Sequence, residues 1–580
     1  MRSRFTLSLV PVGRTLAWAT LLCFQGCQQS APVQNEGEPS ARQQTTSTNH
    51  ALFVDITKSS QVNVNYESGH SDSNYALLET VGGGVALVDF DHDGLLDLFF
   101  AGGGRLAPEM SAMRGERCKL FRNVADLKFH DVSSTGFVPG TAFYSHGVTG
   151  MDYNADGWTD LLVTGYGGVQ LLQNQGDGSF CDVTRDAGLE VFGWFTAAAA
   201  ADLDRDGNAD LFLSQYCDWK PEFESGRFCG DAKQGIRDSC PPQDFDPAPD
   251  LLFRNSANGQ FESITEAANV RADGRGLGVV AGDFNGDDWI DVFVANDAGN
   301  NHLYWGGDSW PLREAGLAGG VATNEYGLPE GSMGIAVADY DGDLDPDLFV
   351  TNFELENNSL YRNDGNDFFQ HMTAVAGLSG DCFSLTGFGA GFGDMDGDGW
   401  EDLFVVNGSV YHHTGQSPYR QPAYLFKNNQ GRFQDVSASG GSFFEMRHPA
   451  RGAALGDLNN DGALDLVIVR QNEPAVVLRG TQAPKRWLSI ELRGVGGDPR
   501  AVGAVVSTSY QGRQLARWVV SGQGYLSQFD TRFVFPRDAD VDEPVFVRWP
   551  SGTMERFDRL RDGRTNLLVE GEGVETGPAS

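Results

Sequence analysis

Short apolar runs recur along most of this chain with the same punctuation. A small-residue and β-branched run, such as Gly83-Gly84-Val85-Ala86-Leu87-Val88 or Met333-Gly334-Ile335-Ala336-Val337-Ala338, leads into an Asp-rich turn. A second apolar run follows, such as Leu96 to Phe100, Leu211 to Leu213 or Leu403 to Val406. A third comes in Leu120-Phe121-Arg122-Asn123, Leu252-Phe253-Arg254-Asn255, Leu360-Tyr361-Arg362-Asn363 and Leu425-Phe426-Lys427-Asn428. A Phe-x-x-[Val/Ile] element, beginning at Phe129, Phe180, Phe261 or Phe433, closes most units. Runs of this length, bounded by turn residues, predict buried strands. Four strands per unit and seven units predict an all-β protein, a seven-bladed β-propeller over residues 51–480. The seventh unit has a third strand near Ala475 to Arg479 but no closing element of its own. The missing strand is expected at the other end of the chain, in Phe53-Val54-Asp55-Ile56, where it would close the ring and remove an exposed edge.

The turns between first and second runs carry the chemistry, in seven copies of D-x-[DN]-x-D-x-x-x-D. They are Asp89, Asp91, Asp93 and Asp97; Asp152, Asn154, Asp156 and Asp160; Asp202, Asp204, Asp206 and Asp210; and Asp283, Asn285, Asp287 and Asp291. The remaining three are Asp339, Asp341, Asp343 and Asp347; Asp394, Asp396, Asp398 and Asp402; and Asp457, Asn459, Asp461 and Asp465. Side-chain oxygens at positions 1, 3 and 5 of a tight loop converge on one point, and a carbonyl at position 7 with a carboxylate at position 9 closes a shell of hard oxygen ligands. The expected cofactor is Ca²⁺, up to seven ions with a structural role. Position 6 must turn sharply, and it is Gly94, Gly157, Gly207, Gly399 or Gly462 in five copies. Asp288 and Leu344 stand there in the others, and a branched residue with a Cβ makes the fifth loop the weakest expected site.

Composition narrows the partners. The chain has 580 residues, too many for a single core, and 74 Gly, in keeping with many tight turns. Its 79 acidic residues against 42 basic leave a net charge of -37, which repels phosphate backbones, so nucleic acid is not an expected partner. At the start, Arg2, Arg4 and Arg14 precede the apolar run Leu16 to Phe24 and then Gly26-Cys27. Residues 1–26 read as an export signal, and the segment ending at Cys27 is similar to a bacterial lipoprotein cleavage site, with Cys27 as the lipidated residue. Residues 27–50, rich in Gln, Ser, Thr and Pro, read as a disordered tether. The chain is therefore expected to be exported, either lipid-anchored in the cell envelope or extracellular.

With Cys23 in the signal and Cys27 lipidated, six cysteines remain, enough for three disulfides in an oxidising compartment, and Cys229 with Cys240 is the favoured pair. Both lie in the long third-unit connection Tyr216 to Asp250. Connections of that kind should share one face of the ring, opposite the acidic loops, and converge on a funnel. Candidate ligand-binding residues there are Trp219, Asn296, Asp297, Asn301, His302, Asn352, Glu354, Asn407, Tyr411 and His412. The histidines, with His146, His413 and His448, show no diagnostic metal or acid/base spacing, and no catalytic residue is assigned.

These repeats resemble the FG-GAP or VCBS repeats of integrin α-chain propellers. Residues 485–572 resemble the ASPIC/UnbV domain, through Trp487-Leu488-Ser489-Ile490, Ala501-Val502-Gly503-Ala504, Gly522-Gln523-Gly524-Tyr525-Leu526-Ser527, Val547-Arg548-Trp549-Pro550-Ser551-Gly552 and Asn566-Leu567-Leu568-Val569-Glu570. The combination is similar to the cartilage acidic protein family. The resemblance implies calcium loops that stiffen the lower face of each blade and a non-enzymatic binding or adhesion module for an extracellular glycan or protein. A carbohydrate lyase or hydrolase with its site in the funnel, or an accessory protein of a secondary-metabolite pathway, is the alternative expectation.

Overall fold

The computed structural model describes residues 51–576, apart from 70–73, 137, 139, 141–142, 257–258 and 416. The expected export signal, Cys27 and the tether lie outside the described residues. Among those described, no helix is long and apolar enough to cross a membrane.

Seven antiparallel sheets, each built on four strands, follow one another along the chain. In the first, Val85–Val88, Asp97–Phe100, Lys119–Asn123 and Phe129–Asp131 pair in sequence order. The same order holds in the next five, and the fourth sheet gains a short extra strand, Glu330–Gly331, beside Asp291–Gly299. In the seventh, Ala450–Gly456, Asp465–Arg470 and Glu473–Gly480 are completed from the front of the chain by Phe53–Asp55. Its register is Phe53 opposite Gly480 and Asp55 opposite Leu478. The seventh sheet thereby takes its outer strand from the segment that leads into the first, and Glu473–Gly480 is paired on both sides.

The first strands are buried along their whole length, as in Phe195–Ala201 and Gly387–Gly393, with Val337 of the fifth the one partly buried position, which suits the crowded centre of a ring. Each innermost strand packs on the next in cyclic order, and that of the seventh sheet packs on that of the first. Gly84 N–H donates to the His146 carbonyl, Thr149 Oγ1 to Ala198, Thr196 Oγ1 to Gly276, Thr351 Oγ1 to Phe388, and Gly452 N–H back to Gly83. These are the seven blades of a propeller.

The chain then builds a smaller β domain of two sheets. One is Phe533–Pro536, Trp487–Arg493 and Thr565–Val569; the other is Arg513–Trp518, Val505–Tyr510, Val545–Arg548, Met554–Phe557 and Val574–Glu575. A segment of this domain enters the centre of the ring. Ser521 exchanges backbone bonds with Ala281 and Gly524 with Ile335; Gln528 N–H donates to Val85 and its carbonyl accepts from Leu87 N–H, while Val148 N–H donates to Leu526 and Asp530 N–H to Leu455. Residues 521–530 therefore touch the inner strands of five blades, Ala200 N–H of a sixth donates to Ser521 Oγ, and Phe529 stacks near Phe404 of the remaining one. The approach requires glycine in the wall: a Cβ at Gly84 would lie 1.7 Å from the Leu526 carbonyl oxygen.

Only one of the three permitted disulfides forms among the described residues. Cys229 and Cys240 are bonded, whereas Cys118, Cys217 and Cys382 are buried free thiols and Cys181 is an exposed one.

Candidate metal loops and the opposite face

In every loop the position 1 aspartate organises the turn before any ion is considered. Asp89 Oδ1 accepts from Asp93 N–H at 3.1 Å and its Oδ2 from Gly94 N–H at 2.8 Å. Equivalent bonds hold Asp152, Asp202, Asp394 and Asp457 to their own loops. Position 6 is left-handed in all seven, at φ 85° for Gly94, 69° for Asp288 and 73° for Leu344. Leu344 thus adopts the turn that its branched side chain disfavours, and Asp339 takes bonds from Asp343 and Leu344 at 3.1 Å each, as in the glycine loops. Position 4 is also left-handed throughout, a requirement the motif does not advertise because His92, Ala155, Arg205, Gly286, Gly342, Gly397 and Asn460 share no side-chain type.

The position 9 aspartate joins the loop to the rest of its blade. Asp97 Oδ2 accepts from Phe90 N–H at 3.2 Å, and its Oδ1 accepts from Asn123 N–H on the third strand at 2.7 Å. Burial pushes the carboxyls of Asp97, Asp160, Asp210 and Asp402 up to about 8, against the backbone N–H groups that hold them down. Neighbouring carboxylates in each loop push the same way.

At position 3 the two oxygens have different fates. Asp91 Oδ2 pairs with Arg122 Nε at 2.5 Å, Asp341 Oδ2 with Arg362 at 3.9 Å, and Asp396 Oδ2 with Lys427 Nζ. The other oxygen, Oδ1 of Asp91, Asp341 and Asp396, is buried and has no hydrogen-bond partner, and the same is true of Asn459 Oδ1. A buried, unpaired oxygen is costly, so four loops aim one at a point that a cation would satisfy. Carboxylate oxygens come within 4.8 Å of one another in the sets Asp89, Asp91, Asp97; Asp202, Asp204, Asp206; Asp394, Asp396, Asp402; and Asp339, Asp341, Asp343, Asp347. The fifth loop, expected to be the weakest, supplies the only four-carboxylate set among these. The donor set is all oxygen and largely anionic, which fits a hard divalent cation. These Asp clusters could hold metal ions, with the carboxylates of positions 1, 3, 5 and 9 as the groups to bind them.

The third-strand cations escaped the reading of the sequence, although Arg122, Arg254, Arg362 and Lys427 occupy equivalent places. Arg254 bridges Asp204 at 2.7 Å and Asp206 at 3.0 Å. The Asn that follows in each third strand, Asn174 after Gln173 included, is also a connector. Asn174 Nδ2 donates to Phe90, Asn255 to Tyr153, Asn363 to Phe284 and Asn428 to Tyr340, in each case the position 2 carbonyl of the preceding blade's loop. The C-terminal domain packs on the same face. Arg548 reaches Asp283 at 2.7 Å, Arg513 lies over the Trp400 ring at 3.7 Å, and Arg532 donates to the Asp457 carbonyl at 3.0 Å.

On the opposite face the candidate ligand residues divide. Asn296 and Asn352 are wholly buried and brace their own turns, donating to the Asn300 and Asn357 carbonyls. Asn301 accepts from Asn296 N–H, and Asn407 donates to the Pro422 carbonyl. Asn commonly satisfies turn backbone in this way, and these four side chains brace the connections of this face. Trp219 is buried and donates to Glu224 at 2.6 Å. Glu354 is buried. His302 is buried against Tyr304, and burial pushes its imidazole down to about 4. His412 stacks on Tyr419 at 4.0 Å. His146 is held among Tyr66 and Trp194, and His448 stacks on Phe443. No cluster of metal-ligating groups among the described residues includes a histidine. Asp297 and Tyr411 alone of the ten line a central cavity, of about 80 Å³.

The third-blade insert lies across this face. Buried Glu224 accepts from Leu77 N–H and Cys240 N–H. Asp238 accepts from His412, His413 and Thr414 N–H at 3.2, 2.8 and 3.0 Å. The backbone beside the two histidines, not their rings, is what the insert uses.

A propeller stiffened by acidic loops and plugged by a small β domain is the class these features define. Residues 89–163, 152–213, 245–294, 283–350 and 339–405 match an FG-GAP-like repeat, segments that contain the first six acidic loops. Residues 494–575 match the ASPIC and UnbV domain. The chain belongs to the family of FG-GAP-repeat proteins that carry an ASPIC/UnbV domain. It is 22% identical over 541 residues to cartilage acidic protein 1 of Homo sapiens, covering 90% of this chain and 68% of that protein. It is 24% identical over 381 residues to cartilage acidic protein 1 of Mus musculus, covering 62% of this chain and spanning about half, 53%, of that protein. Among solved structures, an Agrocybe aegerita lectin structure that concerns recognition of non-reducing terminal N-acetylglucosamine aligns with TM-score 0.36 and 15% identity, over 67% of this chain and 85% of that one.

Proposed function

We propose that this protein is an exported calcium-binding propeller that acts as a non-enzymatic binding or adhesion module for an extracellular glycan or protein. Calcium is the ion that an all-oxygen, flexible, anionic shell favours, and four buried oxygens already face such a shell. Its role would be structural, since the loops face the C-terminal domain.

The asymmetry of the two faces carries the binding half of the reading. One face is taken up by the acidic loops and the domain packed on them. On the other, in the connections from second to third strands and from each blade to the next, large apolar side chains stand in solvent: Phe192 at 83%, Tyr326 at 79%, Leu328 at 59%, Leu355 at 52% and Phe228 at 50% exposed. Exposed apolar groups gathered on one face mark a surface that a partner covers. A glycosidase needs two carboxyl groups across the scissile bond, whereas Asp297 is the one carboxylate among the described residues that line the cavity. An export signal and a lipid on Cys27 would put the chain where an extracellular partner can reach it.

Glycan and peptide arrays probed with the calcium-loaded chain test the reading. Saturable binding, lost in Phe228→Ser with Tyr326→Ser, is expected. Turnover of a glycan without retained binding would replace it with a carbohydrate-active enzyme.

A further inference from the structure

The cavity at the centre of the exposed face has walls from four blades and from the C-terminal domain. Its functional lining is Tyr216, Asp297, Phe353, Phe388, Tyr411 and Tyr525. Tyr525 comes from the segment that plugs the ring, and its hydroxyl donates to the Val81 carbonyl at 3.0 Å. Phe353 and Tyr411 meet edge to face at 6.0 Å, and Phe388 and Tyr525 are tilted at 5.0 Å, so the rings form a box rather than a stack. Tyr216 donates its hydroxyl to Asp297 Oδ2 at 2.5 Å.

Asp297 is the one charged side chain among the described residues that line the cavity. A second carboxylate lies close behind the first: a Cβ at Gly331 would be 3.1 Å from Asp297 Oδ1 and 3.5 Å from Glu356 Oε2. No lysine or arginine is among the described residues that line the cavity. The guanidinium that packs on Phe388, that of Arg451, is taken up by the Thr80, Ala450 and Ser409 carbonyls. Burial pushes the Asp297 carboxyl up to about 6, while the Tyr216 hydroxyl and nearby Arg275 hold it down.

A carboxylate inside an aromatic box is the arrangement that recognises organic cations, by ring quadrupoles and direct ion pairing together. A volume of about 80 Å³ suits one small head group and is too small for a sugar ring with its neighbours. We propose that this cavity recognises an alkylammonium group, seated against Asp297 and enclosed by Tyr216, Phe353, Tyr411 and Tyr525. The group could be carried by a free small amine or by a lysine side chain of a bound protein. The proposal rests on the reading of this face as the one that meets a partner.

Calorimetric titration of the full calcium-loaded chain tests it, with butylamine, butyltrimethylammonium and Nα-acetyl-lysine methylamide as probes and 1-butanol as the uncharged control. Saturable binding of the cations and not of butanol is expected. Asp297→Asn should weaken it about tenfold or more, and Tyr411→Leu, at a half-buried position, roughly threefold to tenfold. Preference for the lysine amide would assign the site to a protein partner, and preference for butyltrimethylammonium to a small molecule; either result supports the proposal. Butanol binding as well as butylamine, or no saturable heat from any cation with a chain of unchanged melting temperature, would overturn it. If the arrays still show glycan or protein capture in that last case, this inference falls and the wider function stands.

Discussion

Asn123 Nδ2 donates to the Leu458 carbonyl at 2.8 Å, so the third strand of the first blade is tied to the acidic loop of the seventh. The same amide donates to Leu96 in its own blade at 3.1 Å. One buried side chain therefore spans the joint at which the ring closes, beside the Asn460 Nδ2 bond to Gly94. Asn123→Ala should leave two buried carbonyls without donors and cost about 1–3 kcal/mol, seen as a melting temperature lowered by a few degrees. An unchanged melt would show that Phe53–Asp55 and the inner strands close the ring unaided.

Removing divalent cations should lower the melting temperature by roughly 10 °C or more, because ligands bound by the folded chain alone stabilise it by mass action. Readdition of calcium should restore it. Scanning calorimetry in calcium and in excess chelator makes the comparison, and coincident curves would refute structural calcium. The convergence of four carboxylates in the fifth loop predicts that Asp341→Ala costs as much as Asp91→Ala, despite Leu344. Lys427→Met should widen the gap between the two conditions, since Lys427 already neutralises part of the charge on Asp396 and Asp398.

Much of this was legible in the sequence because it is local. Positions 1, 3, 5 and 9 of each loop are fixed by spacing, and the wandering fourth strand of the last blade was visible as a missing Phe element. Leu344 takes the left-handed turn because the two N–H bonds to Asp339 and a solvent-facing side chain outweigh intrinsic backbone preference. The burial of the Asn-rich connections was not legible, since Asn352 donates both to its own turn at Asn357 and to Glu330 on the neighbouring strand. What links Asn123 to Leu458, or Gly84 to Leu526, is separated by hundreds of residues and leaves no periodic trace.

The plug makes a sharp steric prediction. Gly84 faces the Leu526 carbonyl so closely that any side chain must displace the segment, and Gly84→Val should loosen the C-terminal domain from the ring. Limited proteolysis should then cut between the domains near residues 481–486, and alkylammonium binding should weaken with the loss of Tyr525. A resistant variant with intact binding would mean that the inner strands yield instead.

Asp250 offers a pH signature distant from the acidic loops. It is buried, accepts from Gln215 N–H at 2.8 Å through Oδ1, and has no partner at Oδ2. Burial pushes its carboxyl up to about 8, and the negative charge of Asp273 adds to the effect. The unfolded chain has an ordinary aspartate, near 3.9, so between that value and about 8 the folded state binds the extra proton. Its contribution to stability is full below the unfolded value and is lost as pH rises through the folded one. Asp250→Asn keeps the bond to Gln215 and removes the titration. Denaturant melts at pH 5 and pH 8.5 in saturating calcium should show the variant gaining on the natural chain by at least about 1 kcal/mol at the higher pH. An equal difference at both pH values would place the proton elsewhere.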